Sequence, residues 1–141
     1  MHAPQPTPSP AGGTAVPRRA LLIDDEPVIR LALRRFFVRQ GWEVDEAEDG
    51  DRALSLLLAP GAAHYDVVLC DLRMPGVSGE ELYDRVAAAR PALLPRVIVS
   101  TGDSVNQDAA AFLRRTGVRV LNKPFELAEL RALVSQVTGE P

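Results

Sequence analysis

The sequence predicts an α/β fold in which five βα units build one parallel sheet. From Arg18 onward, short β-branched or leucine-rich runs alternate with longer stretches of helical period, the pattern of repeated βα units. The run 67–70, VVLC, lacks the polar alternation of a half-exposed strand, as a strand covered by helices on both faces requires. A length of 141 residues suits one domain and excludes a two-domain enzyme.

Residues 1–17 precede this pattern. They hold Pro4, Pro6, Pro8, Pro10 and Pro17 with Gly12 and Gly13, which resists helix and sheet alike and reads as a tail or linker. The domain is expected over 18–139. Its first strand is 20–23, and Pro27 can open the following helix because its missing N–H falls where no helical partner exists. Ile29, Leu33, Phe36 and Phe37 recur on one face of that helix, and Gly41 stops it. A second strand over 43–46 is short and polar, which places it at the sheet edge. Helix 49–58 turns Ala53, Leu54, Leu57 and Leu58 inward before Pro60 and Gly61 end it. Strand 67–70 is central and leads through Met74-Pro75-Gly76 to a helix over 78–89. The fourth strand is 97–100, followed by a helix over 108–115 carrying Ala109, Phe112 and Leu113. The fifth is 118–121, and Leu127, Leu130, Val134 and Val137 then share the inward face of a terminal helix.

Composition narrows the function. Apolar residues at 46% and charged residues at 25% are an ordinary globular balance, which excludes disorder as the main state. With 16 basic and 19 acidic residues the net charge is −3, so no basic field draws the chain to nucleic acid or anionic lipid. Cys70 is the single cysteine, so no internal disulfide or Cys/His zinc site can form, and the compartment is expected to be reducing. No apolar run reaches the roughly 18 residues needed to span a bilayer, and the N-terminus lacks a secretory signal. A cytoplasmic protein is expected.

In open sheets of this type, ligands collect at the carboxyl ends of the strands, beside the point where strand order reverses. The first strand ends in Asp24-Asp25-Glu26. Adjacent carboxylates repel unless a cation sits among them, and hard oxygen donors suit Mg²⁺, although Asp25 can equally serve as a cap for the helix that Pro27 opens. The third strand ends in Asp71, a carboxylate able to receive a phosphoryl group if the first and third strands are neighbours, or simply to start a turn. Thr101, after the fourth strand, can hydrogen-bond a phosphoryl oxygen, but Thr-Gly is common wherever a strand becomes a loop. Fifteen of the 16 basic residues are arginines, and the single lysine, Lys123, stands at the end of the fifth strand. A compact ammonium enters a crowded oxygen-rich site more readily than a planar guanidinium does.

Acids after strands one and three, a hydroxyl after four and a lysine after five belong to one rim. This set, in the motifs LLIDDEP, DVVLCDLRMPGVSGEEL, VIVSTGD and VLNKPF, resembles the receiver domain of two-component response regulators from about Ala20 to Val137. The resemblance implies a flavodoxin-like (βα)₅ sandwich with strand order 2-1-3-4-5, which takes a phosphoryl group from a histidine kinase or histidine phosphotransferase. It implies that Asp71 is the phosphoacceptor and that Asp24, Asp25, Asp71 and the backbone carbonyl of Arg73 hold Mg²⁺. Thr101 and Lys123 then contact phosphoryl oxygens, and the Lys123–Pro124 peptide is cis. An acceptor of this kind is not an enzyme beyond its own phosphorylation and slow dephosphorylation, and a monomer or weak dimer is expected.

Two features depart from the family. Val120 stands three positions before Lys123, where an aromatic residue is common, and no DNA-binding output domain is expected. The stretch FLRRTGVRVLNKPF is especially similar to receiver domains at the C-terminus of hybrid histidine kinases. Among rivals, a flavin or dinucleotide carrier needs a phosphate loop rich in free N–H groups, which Asp24-Asp25-Glu26-Pro27 is not. A haloacid-dehalogenase-like phosphatase needs a second Asp two residues after the first, and Arg73 stands there instead. A receiver-like module that binds partners without phosphorylation is the remaining alternative; such modules usually lose an acid or the lysine, and both are kept here.

Overall fold

The computed structural model describes residues 16–102 and 106–139, so most of the proline-rich segment expected as a tail lies outside the described residues. The strands are β1 (Arg19–Ile23), β2 (Glu43–Ala47), β3 (Val67–Asp71), β4 (Val97–Thr101) and β5 (Arg119–Asn122). The helices are α1 (Pro27–Arg39), α2 (Gly50–Leu58), α3 (Gly79–Ala89), α4 (Gln107–Thr116) and α5 (Leu127–Thr138). All strands are parallel in the order β2-β1-β3-β4-β5, the flavodoxin-like arrangement expected from the sequence.

Strand periodicity divides the core in two. Leu21, Ile23, Val68, Cys70, Val97 and Val99 point to one face, where Leu54 and Leu57 of α2, Leu82 and Val86 of α3 and Phe112 of α4 cover them. Ala20, Leu22, Val67, Leu69, Ile98 and Leu121 point to the other, against Leu33 and Phe37 of α1 and Leu130 and Val134 of α5. Every residue of β3 and β4 is therefore buried, which is why VVLC shows no alternation.

The polar edge strand is held by its charges. Arg19 bridges to Asp45 at 3.1 Å and also pairs with Glu43, and the Tyr65 hydroxyl donates to Asp45 at 2.7 Å. Helix starts follow local chemistry. Pro27 opens α1, while Asp49, Ser78 and Asn106 cap α2, α3 and α4 by accepting backbone N–H groups at 2.8, 3.1 and 2.7 Å. Gly117 ends α4 at φ 63°, a left-handed conformation that Gly adopts without steric cost.

Two local expectations differ. A 3₁₀ helix, Pro91–Arg96, sits between α3 and β4 where the sequence reading placed no element. Leu127, expected inward, is 49% exposed: it is the first residue of α5, and the inward face of that helix is buried only from Leu130.

Candidate functional site

The chain leaves β1 in one direction to form β2 and returns on the opposite side to form β3, so the loops after β1 and β3 border the crevice where strand order reverses. Ile23 lies in register with Cys70, which sets Asp24 and Asp71 side by side. Asp71 is in turn level with Ser100, and Thr101 with Asn122, so the next residue, Lys123, arrives at the same rim. The Lys123 N–H donates to the Thr101 carbonyl at 2.7 Å, and the Lys123–Pro124 peptide is cis.

Backbone donors fix the acids. The Asp24 side chain accepts the Glu26 N–H at 2.9 Å, and the Arg73 N–H donates to Asp71 Oδ1 at 3.1 Å. Arg30 of α1 donates to the Asp24 carbonyl, tying the first helix to the rim. Asp24 and Asp71 are 1% and 5% exposed, Thr101 is buried, and Asp25 and Glu26 open to solvent.

Lys123 joins the acids. Its Nζ lies 2.8 Å from Asp24 Oδ2, 3.1 Å from Glu26 Oε1 and 3.3 Å from Asp71 Oδ2. Burial favours the neutral amine, but the hydrogen bond and charge of Asp24, with Asp71 and Glu26 behind it, outweigh burial and hold the ammonium firmly protonated. Burial raises the Asp71 pKa from its ordinary value; the Arg73 N–H opposes this, the Asp24 charge adds to it and Lys123 moderates it. Such a carboxylate gains from a further cation or from neutralising chemistry.

Carboxylate oxygens of Asp24, Asp25, Glu26 and Asp71 lie within 4.8 Å of one another. The donor set is all oxygen, with two buried and two exposed members, and fits a hard divalent ion such as Mg²⁺ rather than a soft metal. Asp24, Asp25, Asp71 and Lys123 thus lie together at one rim; Thr101 ends the adjacent strand, and Arg73 reaches Asp71 through its backbone N–H. The sequence reading set Glu26 in the acidic run but gave it no role of its own at the site. The signal was its place directly after two aspartates, where Pro27 turns the chain and leaves the Glu26 carboxylate facing the same rim.

Fold and site define a flavodoxin-like protein with a carboxylate–lysine centre at the switch point of its sheet. The chain belongs to the response regulator receiver domain family, whose model matches residues 20–135. It is 33% identical over 116 residues to the transcriptional regulatory protein TrcR of Mycobacterium tuberculosis, covering 82% of this chain and 43% of that protein. It is also 33% identical over 129 residues to the response regulator MprA of Mycolicibacterium vanbaalenii, covering 89% of this chain and 54% of that one. A response regulator receiver protein from Pseudomonas putida superposes with a TM-score of 0.75 at 29% identity, over 87% of this chain and 99% of the other. The chain therefore spans about half the length of these curated relatives and corresponds to their receiver portion. Phosphorylation and Mg²⁺ binding in an acidic pocket are general properties of this two-component family, whose receiver domains are generally non-enzymatic phosphoacceptors. No helix among the described residues is long and apolar enough to cross a membrane.

Proposed function

We propose that residues 18–139 are a cytoplasmic receiver unit in which Asp71 takes a phosphoryl group from a phosphohistidine of a histidine kinase or histidine phosphotransferase. An Asp71 oxygen forms a bond to phosphorus as the phosphorus–nitrogen bond breaks, and the imidazole leaves with the bond's electron pair and takes up a proton. The carrying observation is the position of Lys123 Nζ, within 3.3 Å of the carboxylates of Asp24, just after β1, and Asp71, at the end of β3.

Asp24, Asp25, Asp71 and the Arg73 carbonyl would hold Mg²⁺, with Glu26 beside them. The bound ion supplies positive charge that offsets the anionic phosphoryl group. Lys123 supplies a second fixed positive charge, and its short bonds to Asp24 and Asp71 keep it at the nucleophile. Thr101, at the end of the neighbouring strand, would donate its hydroxyl to a phosphoryl oxygen.

Incubation of the chain with Mg²⁺ and a small phosphodonor, followed by intact-mass measurement, tests this reading. One phosphoryl adduct is expected in the wild type and none in Asp71→Asn or in excess EDTA. Equal labelling of the variant overturns the assignment. Complete absence of labelling favours a module that binds partners without phosphorylation.

A further inference from the structure

The three aspartates of the rim are not held alike. Asp24 and Asp71 each accept a backbone N–H through the side chain, from Glu26 at 2.9 Å and from Arg73 at 3.1 Å, and both touch Lys123. The Asp25 carboxylate is exposed and, among the described residues, has no hydrogen-bond or ion-pair partner. Its direction is therefore set by the backbone that carries it.

That backbone is restrained on both sides of Asp24. The Asp24 N–H donates to the Ala47 carbonyl at 3.1 Å, which carries the β1–β2 pairing one residue past the end of β1. The Asp24 carbonyl, part of the peptide that leads into Asp25, accepts from Nη1 of Arg30. Arg30 is itself aimed: its Nε donates to Glu46 Oε1 at 3.2 Å, while Arg34, one helical turn further on, donates to Glu46 Oε2 at 3.0 Å. Glu46 faces α1 because side chains alternate along a strand, and Val44, two residues earlier, packs into the core on the α1 side.

This is more than a surface ion pair. Arg30 keeps only 17% of its side chain exposed, and it stands near the N-terminal end of α1, where the helix dipole disfavours a cation. A guanidinium can hold a carbonyl with one nitrogen and a carboxylate with another in one fixed plane, which a compact ammonium cannot. We propose that Arg30, oriented by Glu46, is a positioning residue that fixes the Asp24–Asp25 peptide and so aims Asp25 as a Mg²⁺ ligand. The inference rests on the Mg²⁺ reading above and extends it to two residues outside the carboxylate–lysine centre. Charge and positioning give opposite signs here. A positive charge beside the acids opposes a divalent cation, so by charge alone the loss of Arg30 tightens Mg²⁺ binding, whereas by positioning it weakens it.

The test is a titration of the isotopically labelled full chain with Mg²⁺ alone, followed by amide NMR, which needs no phosphodonor. Arg30→Ala is expected to weaken Mg²⁺ binding about tenfold. Arg34→Ala removes the same charge from the same Glu46 without reaching Asp24, and is expected to leave Mg²⁺ binding unchanged or slightly tighter. Arg30→Lys keeps the charge and the helix but not the two-pronged hold; it is expected to weaken binding too, so the outcome does not depend on the Ala variant folding. In an Asp25→Ala background, Arg30→Ala is expected to cost no more than about twofold, because the group it aims is gone. Unchanged or tighter binding in the Arg30 variants overturns the proposal, as does equal weakening by Arg34→Ala or a tenfold loss that persists without Asp25. A wild-type chain that gives no response to Mg²⁺ overturns the Mg²⁺ reading and this proposal together; a wild-type response accompanied by any of those results overturns the proposal alone.

Discussion

Asp24 and Asp25 are adjacent in sequence but stand in different environments. Asp24 is buried, with oxygens committed to the Glu26 N–H and to Lys123, whereas Asp25 is exposed. Replacing Asp24 by Ala removes a proposed Mg²⁺ ligand and also frees Lys123 from its closest partner, whereas replacing Asp25 by Ala removes a proposed ligand alone. Both variants are expected to label more slowly with a small phosphodonor, with Asp24→Ala the slower, and equal time courses would contradict this ordering. Tyr65 offers a stability test far from that chemistry. Burial first, then its hydrogen bond to Asp45, raises its pKa well above the usual tyrosine value. A group whose pKa is raised by folding contributes stability that is present below the unfolded pKa, about 10 for tyrosine, and lost as pH climbs beyond it. Wild-type stability in urea is therefore expected to fall between pH 9 and pH 11 more steeply than that of Tyr65→Phe, which at neutral pH lacks about 1 kcal/mol from the missing hydrogen bond. Parallel declines in the two chains would show that Tyr65 does not govern this range.

The loop between β3 and α3 is where an element places the chemistry. Gly79 opens α3 against the end of β3, and a β-carbon there would meet the Asp71 carbonyl oxygen at 2.6 Å and the Leu72 α-carbon at 2.7 Å. These are backbone atoms, so relief requires the strand end or the helix to shift. Gly79→Ala is expected to cost about 1–3 kcal/mol in denaturant unfolding and to lower the labelling of Asp71, whereas an unchanged midpoint would show that α3 yields freely. The five βα units were legible in the sequence because each strand covered on both faces lacks polar interruption and each helix repeats its apolar residues at helical spacing. Asp71 and Lys123 were legible because strand ends in such sheets share one rim. What escaped depends on contacts distant in sequence or on short, irregular segments. The Arg19–Asp45–Tyr65 network joins residues up to 46 positions apart, a pairing no local pattern reveals. The 3₁₀ helix at Pro91–Arg96 is brief and contains two prolines, which read as breakers of helix. Glu26 stood in the acidic run after the first strand, but its bond to Lys123 joins residues 97 positions apart, which no local pattern reveals.

Across the whole molecule, the question is how far an event at Asp71 travels. Thr101 and Lys123 are joined by a backbone hydrogen bond, so β4 and β5 report to the site together. In the family, an aromatic side chain on the fifth strand commonly moves into space that the hydroxyl residue vacates, carrying the change toward the fourth and fifth helices. Here that position is Val120, half-buried, level with Val99 and packed against the core on the α2–α4 side of the sheet. A β-branched side chain has few χ1 options and no ring to swing between groove and solvent, so this relay is missing. A ligand shifts a conformational equilibrium only by its differential affinity for the two states, and without a second arrangement at Val120 the difference must arise at Thr101 and Lys123. The chain is therefore expected to pass its phosphoryl group onward or to modulate a kinase through the site itself, with only a modest change of surface. Amide NMR of the free chain and of the chain with Mg²⁺ and beryllofluoride measures this. Large shifts should be confined to the loops around Asp71, Thr101 and Lys123, with α5 nearly unchanged. Extensive shifts along Leu127–Thr138, or a stable dimer formed only on activation, would show that the signal travels by a route that does not need an aromatic residue on β5.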